Sequence, residues 1–148
     1  MRGLIVVMLA SLAVASIRTP VAAQDTPTFT GLDRDGPAIQ QTIRGQMNAF
    51  QRDDAPGAFG YAAPSTQQHF GDANVFLNMV RNGYPPVYHP RAVDFTTLTR
   101  KDGTTVQSVE LVGPDGAAYT AFYTMEREPD GAWRIIACML VPSQRVGA

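Results

Sequence analysis

Three short turn sequences divide the C-terminal half of the chain and constrain its fold more than any other feature. They are Lys101-Asp102-Gly103, Pro114-Asp115-Gly116 and Pro129-Asp130-Gly131. Proline or lysine followed by aspartate and glycine suits a three-residue hairpin loop, in which a type I turn precedes a left-handed glycine. Three such loops in succession predict a four-stranded antiparallel meander, with strands at about 91–99, 104–112, 117–128 and 132–141.

The length of a hairpin loop also sets which residues face each other across the two strands. A three-residue third loop pairs Glu126 with Arg134, whereas a two-residue loop would pair Arg127 with Arg134. Because like charges destabilise a sheet, the longer loop is favoured, and we apply it to all three hairpins. This register predicts a core face made of Val93, Phe95, Val109, Leu111, Tyr119, Ala121, Tyr123, Met125, Trp133, Ile135, Ala137, Met139 and Val141.

The opposite sheet face carries six apolar side chains among its polar ones. Six apolar groups on one exposed face form a larger patch than scattered exposure gives, so we expect something to cover them. A second copy of the chain, forming a homodimer, is our first choice, and the C-terminal tail is the alternative. The six residues are Leu98, Val106, Phe122, Ile136, Cys138 and Leu140.

Helical periodicity in the N-terminal half predicts three helices. The first begins near Asp35, the second runs from Ala55 to Ala63 and buries Phe59, and the third is capped by Asp72 and ends at a left-handed Gly83. The first helix carries the apolar stripe Ile39, Ile43, Met47, Ala49 and Phe50, and the third carries Val75, Phe76, Met79 and Val80.

Residues 83–90, GYPPVYHP, join the helices to the sheet. Pro85 and Pro86 predict an extended path, and Pro90 disfavours helical geometry at His89. We interpret the stretch as a stiff corner, with Tyr84 and Tyr88 packed beneath it. Because such a corner can also border a pocket, His89 remains a candidate site residue.

The first 23 residues have the features of a signal peptide. Arg2 supplies a positive start, Leu4 to Ile17 form an apolar run too short to span a bilayer well, and small residues end at Ala23. An uncleaved anchor is the alternative, which Arg18 and Pro20 disfavour. We therefore expect a signal peptide at 1–23, a flexible leader at 24–36, one domain at 37–142 and a tail at 143–148, with the mature chain periplasmic or secreted and free of the membrane.

Charge and motif spacing exclude several classes of function. Without Arg2 and Arg18, 10 of the 12 basic residues remain against 13 acidic ones, with no basic patch for nucleic acid. His69 and His89 lack zinc-ligand spacing, and no glycine loop follows a strand to cradle phosphate, so we expect neither a metal nor a cofactor. Cys138, the single cysteine, has no partner for an intrachain disulfide.

Polar side chains on the predicted core face are the best candidates for a site. A buried polar end without a partner costs about 1–3 kcal/mol, so such groups are either satisfied by neighbours or line a pocket. The ligand-binding candidates are Tyr119, Tyr123, Gln107, Thr97 and His89. A general base would have to come from the helical side, either from Asp53 or Asp54 at a helix end or from a histidine in a loop, His69 or His89.

The chain resembles the bacterial domain-of-unknown-function family 4864, within the superfamily of nuclear transport factor 2, ketosteroid isomerase and the SnoaL-like polyketide cyclases. The resemblance covers about residues 37–142 and is carried by the runs IRGQMNAFQRDDAPGAFGYAAP, FGDANVFLNMVRNGYPPVYHPRAVDF and DGAWRIIACML. It implies a cone-shaped sheet around an apolar pocket, often paired into dimers through the outer sheet face. No catalytic residue can be transferred from the isomerases.

Together these patterns predict an α+β fold of three N-terminal helices packed on a curved four-stranded antiparallel meander. Three functions are compatible with it. The first is an exported binding or accessory module with a modest apolar pocket. The alternatives are an acid–base enzyme of the SnoaL or isomerase kind, and a structural dimerisation domain without a ligand.

Overall fold

The computed structural model describes the backbone of residues 30–144 and the side chains of residues 34–144. The predicted signal peptide, the first residues of the leader and the end of the tail lie outside this range. The helices are α1 (Thr30–Gln51), α2 (Ala55–Gly60), α3 (Pro64–Phe70), α4 (Ala73–Gly83) and α5 (Pro85–Tyr88). The strands are β1 (Ala92–Lys101), β2 (Thr104–Val112), β3 (Ala118–Arg127) and β4 (Trp133–Pro142).

The sheet is a four-stranded antiparallel meander in the order β1-β2-β3-β4, and the helices pack on one of its faces. This confirms the α+β class and the meander. The predicted α1 stripe is entirely buried, as are Val109, Leu111, Ala121 and Tyr123 on the facing side of the sheet. The core therefore lies between the helices and the inner face of the sheet.

The second and third hairpins have the predicted three-residue loops. Gly116 and Gly131 have φ of 80° and 87°, and Glu126 pairs with Arg134 as expected. The first hairpin differs, because Lys101 pairs directly with Thr104 around a loop of only Asp102 and Gly103. Both loop residues have positive φ, at 50° and 78°, which is the requirement of a type I′ turn.

A β-bulge in β1 compensates for the shorter first turn. Pairing shifts between Phe95 and Leu98, so Phe95 still faces Val109 while Leu98 faces Gln107. Leu98 therefore packs against the core, and Thr97 is exposed. The predicted inward position of Thr97 and outward position of Leu98 were wrong for this reason.

A second bulge, in β4, reverses the predicted faces along the rest of that strand. Met125 pairs with Ile135 but Thr124 pairs with Ala137, which leaves Ile136 as the extra residue. Cys138 and Leu140 consequently pack against the core, whereas Met139 is 59 % exposed. The assignment of Cys138 and Leu140 to the outer face was wrong, and so was the inward assignment of Met139 and Val141, since alternation now turns these two outward. Ala137, opposite Thr124, is exposed beside the bulge.

Between residues 30 and 90 the structure contains five helices where three were predicted. α1 begins at Thr30, upstream of the expected start and through part of the predicted leader. At the predicted start of the helix, Asp35 pairs with Arg127 at 3.9 Å and Gly36 lies against Leu98. Pro37 lies inside α1 and not in its first turn.

The two helices missed from the sequence, α3 and α5, are short. α3 ends at Gly71, whose φ is 71°, while Gly83 is the last residue of α4 and is not among the residues with positive φ. Pro85 and Pro86 do not form an extended path but open the helical turn α5. A proline in a first turn loses no hydrogen bond, because that N–H has no intrahelical partner.

Candidate ligand-binding pocket

A cavity of about 230 Å³ opens between the helices and β4. α1, α3, α4 and α5 contribute side chains to it, and the middle of β4 closes it from the sheet side. It is larger than the engineered cavity of about 150 Å³ that binds benzene. Its lining residues are Gln46, Phe50, Ala62, Thr66, Phe70, Phe76, Met79, Val80, Tyr84, Val87, Ile135, Ile136, Ala137 and Cys138.

The link between α2 and α3 holds the rim of this pocket against the edge of the sheet. Ala62 forms a parallel bridge with Ile135, whose N–H donates to Tyr61 O at 2.9 Å and whose carbonyl accepts from Ala63 N at 2.8 Å. One turn later the Thr66 hydroxyl donates to Ile136 O at 2.8 Å. These bonds cap part of the edge of β4 and place α3 beside the β4 bulge.

Aromatic packing forms the helical wall of the pocket. The Phe76 ring lies 5.9 Å from that of Phe50 and 5.3 Å from that of Phe70. Such pairs bury large apolar areas in a defined geometry. The wall is therefore built by residues from α1, α3 and α4 in mutual contact.

The pocket-lining side chains include three uncharged polar groups, those of Gln46, Thr66 and Cys138, besides Tyr84. No carboxylate, imidazole, lysine or arginine is found in the described lining. Of the carboxylates and imidazoles considered from the sequence, Asp54 caps α2 by accepting from Gly57 N at 2.9 Å, and His69 lies exposed on α3. The pocket can thus hold an apolar molecule, but its lining offers no general base.

The five predicted ligand-binding residues lie elsewhere, and none is among those lining the pocket. Thr97 and His89 are exposed, and the Tyr119 hydroxyl donates to Asp115 Oδ2 at 2.8 Å. Tyr123 and Gln107 are fully buried and directly opposite each other on β3 and β2. The structure thus brings together only these last two.

Gln107 and Tyr123 form a buried polar row that ends at Cys138. Gln107 Nε2 donates to Ser108 O at 2.9 Å, but its Oε1 and the Tyr123 hydroxyl have no hydrogen-bond partner among the described residues. Tyr123 faces Cys138 across the β3–β4 pair. The thiol lies near enough to the hydroxyl to affect its pKa, although the two do not form a hydrogen bond of ordinary geometry.

Burial controls the ionisation of both groups. It raises the pKa of the Cys138 thiol to about 12, an effect that the neighbouring Tyr123 hydroxyl partly offsets. It also raises the pKa of Tyr123 well above its ordinary value, with the Cys138 thiol adding to the shift. Cys138 is therefore a protonated, unreactive thiol at neutral pH, because the thiolate is the nucleophile.

We expect iodoacetamide to alkylate the folded chain very slowly at pH 8. With a thiol pKa of about 12, the thiolate fraction is about a thousandfold smaller than in an unfolded chain. Because Cys138 is the only cysteine, mass spectrometry of the whole chain reads its reaction directly. Guanidinium should restore the ordinary rate, and rapid alkylation of the folded chain would contradict the burial of this thiol.

The GYPPVYHP corner is tied to the α1–α2 link by a surface cluster. The Tyr88 hydroxyl and Arg81 Nη2, the latter at 3.1 Å, donate to Asp53 Oδ1, and Arg81 Nε lies 3.3 Å from the same hydroxyl. The Tyr88 bond and then the Arg81 bond lower the pKa of Asp53. Asp53 adopts φ of 53°, a left-handed conformation that aspartate tolerates better than most residues. These contacts thus connect the end of α1 with α4 and α5.

We expect Tyr88→Phe to lower the melting temperature near neutral pH. A carboxyl with a depressed pKa contributes stability above its unfolded pKa, and this contribution is lost as the pH falls through the folded value. The difference between parent and variant should therefore shrink below about pH 4. Thermal melts from pH 7 to 3 measure it, with Tyr84→Phe as a control; a difference independent of pH would assign Tyr88 a packing role alone.

The pocket residues that sequence analysis missed depend on two features with weak signals. α3 carries no amphipathic stripe, so Thr66 and Phe70 were assigned to a loop, although Pro64 and Gly71 bracket them as a helix start and stop. Cys138 lines the pocket only because the extra residue at the Ile136 bulge shifts the alternation of β4. A run of consecutive apolar residues from Ile135 to Val141 is compatible with either alternation, so no residue in it indicates where the extra position lies.

A family model described as Domain of unknown function (DUF4864) matches residues 32–148. Comparison with curated proteins and with solved structures found no match. Within residues 30–144, every helix is too short or too polar to cross a membrane. In that same range no three His, Cys, Asp or Glu side chains are grouped as metal ligands.

Proposed function

The chain belongs to the family described as Domain of unknown function (DUF4864), and because that description names no activity, we propose a function from the pocket itself: an exported module that binds a small apolar molecule. The observation that carries the proposal is the 230 Å³ cavity walled by Phe50, Phe70 and Phe76. Scaling from benzene in a cavity of about 150 Å³, it holds on the order of ten non-hydrogen atoms.

Binding is favoured over acid–base catalysis because of what lines the cavity. Asp53 is held in the surface cluster with Arg81 and Tyr88, and Asp54 caps a helix. His69 and His89 are exposed on the surface. An isomerase-like reaction needs a base at the substrate, and the described lining residues contain none.

The wider likeness to nuclear transport factor 2 is part of the proposal. It is supported by helices packed on one face of a four-stranded antiparallel sheet. It is also supported by bulges in β1 and β4, since bulges bend strands and increase their twist. A sheet curved in this way would form the cone around the pocket.

Propylbenzene, an apolar probe of the right size, tests the binding function. A ligand bound only by the folded chain at a hundred times its Kd stabilises it by about 2.7 kcal/mol, which a thermal melt detects. Val80→Phe should remove the shift, because Val80 is buried and borders the cavity. Val75→Phe is the matched control, since Val75 lies on the same helix and is 54 % exposed. Absence of a shift with propylbenzene and its homologues would refute the proposal.

We also propose that the outer sheet face pairs two copies of the chain. The β4 bulge changes the predicted patch, which now centres on the Phe122–Met139 pair beside Val106. Lys101 and the Glu126–Arg134 pair lie toward one end of this face, and Asp94 and Glu110 lie opposite each other toward the other. An antiparallel twofold stack would bring Lys101 close to the two carboxylates of the other copy.

Sedimentation equilibrium tests the dimer. We expect the parent chain to sediment as a dimer at micromolar concentration and Met139→Glu to sediment as a monomer with an unchanged melting transition. Val75→Glu, an equally exposed change on α4, should leave the dimer intact. A parent chain that is monomeric at high micromolar concentration would contradict the interface.

A further inference from the structure

Gln46 is the most buried polar residue that lines the pocket, and its amide uses only part of its hydrogen-bonding capacity. The residue is 4 % exposed and borders the cavity. Its Nε2 donates to Ala58 O at 3.2 Å, and no other hydrogen bond joins its amide to a described residue. A glutamine amide has two donors and an acceptor oxygen, so one N–H and the Oε1 remain.

The unused donor and acceptor of this amide can hydrogen-bond to a polar group of a molecule that fills the cavity. The other polar groups of the wall are less available. The Thr66 hydroxyl already donates to Ile136 O, and the Cys138 thiol is protonated and a weak donor. Gln46 is therefore the pocket-lining residue best able to hydrogen-bond to a polar group of the ligand.

The wall also restricts the charge of the ligand. Its described residues include no lysine, arginine, histidine or carboxylate. Bringing a carboxylate or an ammonium group into an apolar site without a countercharge costs far more than burying a neutral amide or hydroxyl. An ionised end would therefore have to stay in the solvent, outside the pocket.

From these observations, and resting on the proposed binding function, we infer that the ligand is an uncharged molecule with one amide or hydroxyl group, which hydrogen-bonds to Gln46 while its apolar remainder fills the aromatic wall. The Gln46 amide can both donate to this group and accept from it. Amides and alcohols satisfy both requirements, whereas hydrocarbons leave Gln46 unpaired.

Four probes with one phenylpropyl skeleton test the inference by calorimetry on the full chain: propylbenzene, 3-phenylpropanamide, 3-phenylpropanoate and 3-phenylpropylammonium. We expect the amide to bind at least about tenfold more tightly than either charged probe at pH 7, corresponding to about 1.4 kcal/mol. The parent chain alone is sufficient for this comparison, so it does not depend on any variant folding.

Gln46→Leu should reduce the affinity for the amide about tenfold and leave that for propylbenzene unchanged or increased. Gln67→Leu is the matched control, because Gln67 also donates its Nε2 to main-chain carbonyls, Phe59 O at 3.0 Å and Ala62 O at 2.9 Å, without lining the pocket. Its preference for the amide should equal that of the parent.

The outcomes separate the two proposals. If propylbenzene binds but a charged probe binds as tightly as the amide, the inference is overturned and the binding function stands. If Gln46→Leu retains the preference, or Gln67→Leu loses it, Gln46 is not the recognising group. If none of the four probes binds, the pocket is not a ligand site and both proposals fall.

Discussion

Phe50→Ala is expected to lower the free energy of unfolding by about 3–5 kcal/mol, which for a domain of this size lowers the melting temperature by more than about 10 °C. Phe50 is fully buried, and its ring lies 5.9 Å from that of Phe76 and 6.4 Å from that of Tyr88. It thus joins α1 to α4 and α5 and forms part of the pocket wall. Removing it takes away contacts from three helices at once.

The same substitution at a half-buried ring on the edge strand β1 is the control for this prediction. Phe95 is only half-buried, so Phe95→Ala should cost less than half as much in urea or thermal unfolding. Equal costs would contradict the placement of Phe50 at the junction of the helices. Both variants should unfold in a single transition if the domain is two-state.

Phe50→Ala also makes a prediction about the cavity. Because Phe50 lines the pocket, its removal enlarges an existing cavity rather than creating an isolated one. Toluene should therefore raise the melting temperature of the variant more than that of the parent, by filling the space left by the ring. An equal shift in the two chains would mean that the helices collapse into the space.

Local sequence signals predicted the meander but did not assign every residue to the correct face of the sheet. Asp-Gly turns, the Glu126–Arg134 pair and strict alternation in β2 and β3 agree with the structure. The bulges in β1 and β4 do not follow from local signals, because each inserts a residue where neighbouring side chains suit either face. In β1 the bulge and the two-residue turn offset each other, so the register is correct at Val93 and wrong at Leu98.

The cavity and the candidate residues chosen from the sequence lie in different places. A modest apolar pocket was expected, with candidate residues on β1, β2 and β3 and at His89, of which Gln107 and Tyr123 are fully buried in the core. The cavity lies instead over β4, where α3 and the short α5 leave space beside the bulge. Because these two helices lack periodicity, nothing in the sequence indicated that space.

Tyr123→Phe is expected to stabilise the chain by about 1 kcal/mol, against the usual direction of a core substitution. The Tyr123 hydroxyl is fully buried and has no hydrogen-bond partner among the described residues. In the unfolded chain that hydroxyl is hydrated, whereas in the folded chain no described protein group takes the place of that water. Phenylalanine keeps the ring and its packing but removes the hydroxyl, whose burial without a hydrogen bond costs free energy.

Two measurements test whether the effect of Tyr123→Phe comes from its unpaired hydroxyl: the control variant Tyr119→Phe and the pH dependence of unfolding. The Tyr119 hydroxyl donates to Asp115, so its removal should lower or leave unchanged the melting temperature. Burial raises the pKa of Tyr123. Above the unfolded pKa of about 10, the unfolded chain therefore loses a proton that the folded chain keeps, and the parent loses stability as the pH rises. The advantage of Tyr123→Phe over the parent should therefore grow from pH 9 to 11 in urea unfolding. If Tyr123→Phe destabilises the chain at pH 7, its hydroxyl has a bound partner, and the row from Gln107 to Cys138 is a hydrated extension of the pocket.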